Sequence, residues 1–440
     1  METISKLSLF VFFFSFVLIV PAFQANIGYL DEVLEGRKLE SLRHARELFV
    51  TDTDDHIAEF NQHVRMALEG TNSTRRSLRK KHIGGRCLAT NPIDRCWRCR
   101  PDWATDRKRL ATCVKGFGRN TVGGKYGRIY VVTNPTDNDM VNPKPGTLRH
   151  AVIQKEPLWI IFARNMVITL KQELLVSSHK TIDGRGAQVH IAYGAGITVQ
   201  FARNVIIHNL RIHDTISTSG GLIRDSVDHI GLRTTSDGDG VSVYGSTNVW
   251  IDHLSMSNCK DGLIDIIEGS TAITVSNNHM TRHNDVMLFG AHDDQPLDSI
   301  MQITVAFNHF GQGLIQRMPR CRWGFVHVVN NDYTHWIMYA IGGSHNPTIV
   351  SQGNRYIAPP NLAAKNVTHR IDAPESVWKD WTWVSEGDLL MNGAVFVPSG
   401  TPQNVKKYSR KDKIKVKPAT YVTRLTRFAG ALNCKVGKPC

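Results

Sequence analysis

Val249-Trp-Ile-Asp-His253 and Ile273-Thr-Val-Ser-Asn277 are β-rich runs that each close on a polar turn residue. Ile303-Thr-Val-Ala-Phe-Asn308, Val326-His-Val-Val-Asn-Asn331 and Ile349-Val-Ser-Gln-Gly-Asn354 continue the series. Their starts are 24, 30, 23 and 23 residues apart. A fixed period of this length with one β-rich run per unit is the mark of a solenoid. Helical repeats are excluded because no amphipathic helix lies between the runs, and leucine-rich repeats because their Leu pattern is absent. The reading is therefore all-β, a parallel β-helix whose coils stack strand on strand about 4.8 Å apart. Most of the recurrent Asn residues are then structural, since Asn tolerates left-handed turns and can hydrogen-bond from coil to coil. Val205-Ile-Ile-His-Asn209 starts 44 residues before Val249, which reads as two steps of 22.

Towards the N-terminus the pattern changes. Lys6, an apolar run from Leu7 to Val20, and small residues Ala22 and Ala25 form a secretory signal peptide over 1–25. The run is shorter than the roughly 20 residues that span a bilayer, so the mature chain is read as having no membrane segment. Residues 26–85 carry helical spacing, Leu30, Val33, Leu34, Leu39, Leu42, Leu48 and Phe49, then Ile57, Phe60, Val64 and Leu68 up to Gly70. A basic linker, Arg75 to Lys81, follows. The solenoid domain is placed at 86–440, with the helical region as a small separate segment.

The net charge of +14 fits a nucleic acid, an acidic polysaccharide or a solvated face. Export favours the polysaccharide over nucleic acid. Of eight cysteines, 87, 96, 99, 113, 434 and 440 cluster at the two ends of the body and read as disulfide-forming. Asn72 and Asn366 head sequons for N-glycosylation.

The period makes the carboxylates informative. Asp237 and Asp261 lie 24 residues apart, one coil, and Asp265 is four further on. Stacked carboxylates repel unless a cation binds them, and oxygen donors without His or Cys point to calcium. The competing reading is that Asp237-Gly-Asp239-Gly is only a turn. Arg317-Met-Pro-Arg320-Cys-Arg322 falls on the following coils, on the same side. Fixed guanidinium groups beside a fixed cation suit a polymer with a carboxylate on every sugar.

These stretches resemble the plant pectate lyases of polysaccharide lyase family 1, and most of all the pollen-type members with an extra N-terminal region. The resemblance is carried by Asn91-Pro-Ile-Asp-Arg-Cys-Trp-Arg-Cys99, Thr235-Ser-Asp-Gly-Asp-Gly240, Val249-Trp-Ile-Asp-His253, Asp261-Gly-Leu-Ile-Asp265, Val305-Ala-Phe-Asn-His-Phe310, Arg317-Met-Pro-Arg-Cys-Arg322 and Tyr339-Ala-Ile-Gly-Gly343. It implies a right-handed parallel β-helix, a monomer in the plant cell wall, and calcium-dependent β-elimination of de-esterified homogalacturonan. It implies Asp237, Asp261 and Asp265 as calcium ligands, with Asp239 a further candidate. It gives Arg317 the catalytic role, makes Arg322 a substrate-binding residue, and leaves Arg320 a neighbour that holds substrate charge. Cys96–Cys113 and Cys434–Cys440 match family disulfides, which leaves Cys87 with Cys99. Cys259 and Cys321 are then buried thiols, and Trp250 and His253 mainly structural.

Two alternatives share the fold. A polygalacturonase-type hydrolase needs a carboxyl acid and a carboxyl base rather than an arginine motif. A non-catalytic, allergen-like wall protein needs no intact site. Asp285 departs from relatives that carry lysine there. It lies 24 residues after Asp261, and is read either as a tolerated change with Arg282 supplying the charge, or as a ligand for a further calcium arriving with substrate.

Overall fold

A computed structural model describes residues 31–49, 87–401 and 414–440. Three parallel sheets run the length of the body. One has ten strands, from Arg128–Val132 to Trp383–Glu386; one has nine, from Met166–Ile168 to Leu389–Met391; and one has eight. The eight strands of the last are β1 (Leu174–Leu175), β2 (Ile197–Gln200), β3 (Val241–Tyr244), β4 (Ile264–Ile267), β5 (Met287–Phe289), β6 (Arg320–Cys321), β7 (Ile341–Gly343) and β8 (Thr368–Arg370), neighbours in chain order. This is a parallel β-helix.

The aliphatic residues that open the quoted runs are the register of the ten-stranded sheet. Val205 pairs with Val249, Val249 with Ile273, Ile273 with Ile303, Ile303 with Val326 and Val326 with Ile349. All six are fully buried, so each coil is anchored by an inward aliphatic column. The two steps of 22 expected between Val205 and Val249 are wrong. The two residues are direct neighbours, and the extra length is an antiparallel hairpin, Gly221–Ser226 with His229–Arg233, inserted into one coil.

Behind the column, buried asparagines bond along the axis. Asn278 Nδ2 donates to Asn308 Oδ1, Asn308 to Asn331 and Asn331 to Asn354, each at 3.0 Å, and Asn354 donates to Asp388 at 3.2 Å. Residues just before the ladder, Asn277, Phe307 and Asn330, take positive φ of 55°, 59° and 53°, which turns each strand into the next.

Residues from Ile93 to Val114, together with Ile414, Leu425 and Cys434, cover the outer face of the ten-stranded sheet, packing on Trp159, Ile206 and Trp250. The disulfides Cys87–Cys99, Cys96–Cys113 and Cys434–Cys440 tie these flaps. Cys259 and Cys321 are free and buried. Trp250 and His253 are fully buried, and His253 Nε2 meets Asp94 Oδ1 at 2.8 Å while Nδ1 meets the Gly430 carbonyl at 2.9 Å. The Asn91–Cys99 motif is thus a docking element.

Helix α1 (Glu32–Phe49) lies against the strands Thr247–Asp252 and Thr271–Ser276 of the ten-stranded sheet and against the inserted hairpin, where Arg37 pairs with Asp225 at 3.0 Å and Asp31 with His229 at 3.0 Å. The expected apolar stripe is only partly its buried face: Leu34 is buried and Leu42, Leu48 and Phe49 half-buried, but Val33 and Leu39 are exposed, and Ser41 and Ala45 are buried with Leu34. Small side chains face the body because Ser41 Oγ approaches the Gly245 carbonyl closely. The second expected helix, the basic linker and Asn72 lie outside the described residues; Asn366 is exposed. No described helix is long and apolar enough to cross a membrane.

Candidate active site

β3 and β4 are short alternating strands whose first and third residues are apolar and buried, so their second and fourth members face outward. The outward row Ser242, Asp265, Leu288, Arg320 and Gly342 crosses five coils in strict register. Asp265 and Arg320 are therefore two strand spacings apart, roughly 10 Å between backbones. Arg317 enters β6 and Arg322 leaves it, so the three arginines frame one end of this row.

The acidic end is built by the turns before β3 and β4. Register between these strands is 23 residues, so Asp261 stands level with Gly238 rather than Asp237: Asp261 N approaches the Gly238 carbonyl at 3.5 Å, and Gly262 N donates to Asp239 Oδ1 at 2.9 Å. Asp261 is thereby set between Asp237 and Asp239. Gly238, with φ +96°, lets the turn pass close to Lys260.

Four carboxylates in this space perturb one another. Burial, then the Asp261 charge, pushes Asp265 far above the ordinary carboxylate range. Burial, then Asp265, Asp261 and Asp237, does the same to Asp239. Asp237 is raised by burial, Asp261 and Glu173. Asp265 as a residue keeps partial exposure, but its Oδ1 is closed off and has no hydrogen-bond partner among the described residues. A buried acceptor without a donor, in a set of oxygen donors that repel one another, is the chemistry a hard divalent cation satisfies. As they stand, the side chains are not drawn together: among the described residues no three acidic, His or Cys side chains converge on one point. The donors fit calcium by type.

Glu173, which carries no motif, lines the same small cleft as Asp237 and Asp239. It is already engaged, by Arg233 at 3.1 Å and Thr198 at 2.8 Å. No sequence signal marks it, because it stands just before β1, two coils before the Asp237 turn, and a hairpin insertion obscures the spacing between them.

At the basic end, Arg317 adopts φ +61°. For a non-glycine residue that conformation costs about 1 kcal/mol or more, and such outliers gather at functional sites. Its Nε lies 2.8 Å from Asp285 Oδ1, in contact but without hydrogen-bond alignment. Asp285 does not continue the acidic column. Its strand, His283–Asp285, pairs with Leu314–Gln316, and its Oδ1 accepts from Gln316 Nε2 at 3.0 Å. Arg317 also faces Tyr339, whose hydroxyl is raised first by burial. Arg320 keeps a buried Nε without a hydrogen-bond partner. Arg322 donates to the Gly290 carbonyl at 2.7 Å and meets Asp293 at 3.2 Å; burial, then Arg320, lowers its proton affinity.

Residues 120–425 match the family described as Pectate lyase, and residues 26–78 match the one described as Pectate lyase, N terminus. The chain is 58% identical to a probable pectate lyase, P59, of Solanum lycopersicum, across 97% of each chain. It is 60% identical to a pectate lyase of Lilium longiflorum, across 94% of this chain and 95% of the other. Among solved structures, the major allergen of cedar pollen, jun a 1, superposes with a TM-score of 0.76 at 46% identity, over 78% of this chain and all (100%) of that one. The thermostable pectate lyase PL 47 superposes at 0.56 and 19% identity over 72% of this chain and 96% of the other, a likeness of fold.

Proposed function

The chain belongs to the pectate lyase family, and on that premise we propose that it is a secreted, calcium-dependent lyase of the plant cell wall that cleaves de-esterified (1→4)-α-D-galacturonan. The observation that carries the proposal is the outward row with Asp265, whose Oδ1 has no hydrogen-bond partner among the described residues, at one end and the Arg317–Arg322 cluster at the other.

Asp237, Asp261 and Asp265, with Asp239 beside them, would hold calcium. Bound there, it supplies Lewis-acid stabilisation of the charge that develops beside the substrate carboxylate. Arg320 and Arg322 hold neighbouring carboxylates of the polymer through their guanidinium groups. Arg317 takes the proton from C5. The C5–H electron pair forms the C4=C5 double bond, the C4–O4 bond breaks, and O4 leaves with the departing chain and takes up a proton. One product then carries a 4,5-unsaturated end. An arginine base must be uncharged at the moment of transfer, and arginine is strongly basic.

The hydrolase alternative requires an acid–base carboxyl pair astride the scissile bond. Here the carboxylates cluster at one end and arginines hold the other. The test is ultraviolet absorbance of unsaturated product from polygalacturonate, with calcium and after exhaustive chelation. Turnover with calcium and none without it supports the proposal; reducing ends released without unsaturation would overturn it.

A further inference from the structure

Beyond Arg322 the surface changes character. Asp293, Trp323, His345, Asp372, Val377 and Trp381 line an open cleft of about 400 Å³ at the far ends of β6, β7 and β8. Asp293 joins it to the arginine row, since its Oδ1 meets both Arg322 at 3.2 Å and Ser344 Oγ at 2.7 Å. The Trp323 indole is fixed before any ligand arrives: Nε1 donates to the Asp293 carbonyl at 3.1 Å, and the ring sits 4.0 Å from the His345 ring at a tilt of 44°.

Among the described residues no lysine or arginine lines the cleft, and its two charged members, Asp293 and Asp372, are both acidic. A galacturonate carboxylate brought here would face Asp372, and Asp293 already engaged by Arg322, with no cation among the described lining residues to receive it. A methyl ester removes that charge and adds an apolar group suited to Val377 and the indoles, while the ring face stacks on Trp323. Resting on the polysaccharide reading above, we propose that this cleft is a subsite for a methyl-esterified sugar of the same pectin chain, beyond the de-esterified stretch held by the arginines. The protein would then favour the borders of de-esterified blocks.

The test compares kcat/KM on polygalacturonate and on partly methyl-esterified pectin. Trp323→Ala should lose about five- to tenfold on the esterified polymer and stay within about twofold on polygalacturonate, as loss of one aromatic contact predicts. Asp372→Lys, at an exposed position, should shift preference the other way, towards polygalacturonate. Equal losses on both polymers, or none on either, would overturn the subsite. Calorimetry with a methyl-esterified oligogalacturonide separates this from the reaction: Trp323-dependent binding by a protein that makes no unsaturated product would sustain the subsite and sink the lyase reading alone.

Discussion

Arg317 Nε and Asp285 Oδ1 stand 2.8 Å apart, so the residue proposed as the base rests against a carboxylate from the preceding coil. Asp285 is held in turn by Gln316 and by Asn284 at 3.2 Å. A guanidinium on a three-carbon stem is positioned by what its head touches, here the Asp285 carboxylate.

Asp285→Asn should therefore lower kcat on polygalacturonate by about tenfold, the scale of a lost orienting contact near 1.4 kcal/mol. The calcium concentration for half-maximal rate should stay where it was, since Asp285 serves Arg317 and not the acidic cluster. A shifted calcium requirement with unchanged kcat would restore the idea that Asp285 bridges an extra ion. Arg317→Ala should remove turnover and leave calcium binding intact.

Removing Asp265 should have opposite effects on stability and on metal binding. Without calcium its buried Oδ1 lacks a hydrogen-bond partner among the described residues, and the carboxylate faces Asp261. Because its folded proton affinity is raised, the folded state is favoured at low pH, and that advantage is lost as pH climbs through the ordinary carboxylate range towards the folded value. Asp265→Asn should thus raise the unfolding midpoint in chelator at neutral pH, by on the order of 1–3 kcal/mol. The same variant should lose most of the calcium-induced rise in midpoint. Scanning calorimetry in chelator and in calcium reads both; a variant less stable in chelator would mean the carboxylate is not an uncompensated charge.

How far the sequence foretold this differs element by element. The Val249, Ile273 and Ile303 anchors were legible because each coil must bury the same inward position. The gap before Val249 misled because a hairpin insertion lengthens a coil without adding one. Asp-Gly-Asp-Gly signalled the acidic turn, yet the 24-residue spacing put Asp261 one residue out of its true register with Gly238. The Arg317–Asp285 contact could not be read, because it depends on a left-handed backbone at Arg317. Glu173 reaches the cleft by topology alone. On α1 the leucine spacing identified a helix but only part of its buried face, where close approach also places Ser41 and Ala45.

The flap network should govern stability and not turnover. Burial works against charge on His253, but facing Asp94 outweighs it and raises the imidazole; burial opposes charge on Asp94 too, and His253 and Arg98 outweigh it and lower the carboxyl. The imidazole contribution is complete below its ordinary value of 6.5 and fades as pH rises through the higher folded value. The carboxylate contribution is complete above 3.8 and fades as acid passes through the lower folded value. His253→Ala leaves Asp94 buried with Arg98 alone, and should cost about 2–4 kcal/mol. Urea midpoints at mildly acidic pH should fall accordingly, while kcat on polygalacturonate at low temperature stays near that of the parent. A large kcat loss in the folded variant would place His253 in the chemistry.

Helix α1 attaches to the body mainly through polar contacts. Arg37 meets Asp225 at 3.0 Å and Ser226 at 2.8 Å, Asp31 meets His229, and Leu34, Ser41 and Ala45 are its buried side chains. Surface ion pairs of this kind contribute about 0–1 kcal/mol each, and so few buried side chains add little apolar area. The partners are on the inserted hairpin and on the turns beyond β2 and β3, not on the outward row that carries Asp265 and Arg320. A chain starting at Gly84 should therefore fold, keep its three disulfides and retain kcat on polygalacturonate within about twofold, with a midpoint lower by on the order of 1–3 kcal/mol. Raising salt should shrink the stability difference between the two chains, because the lost contacts are largely ionic. An unfolded or inactive short chain would instead make α1 an integral wall of the solenoid.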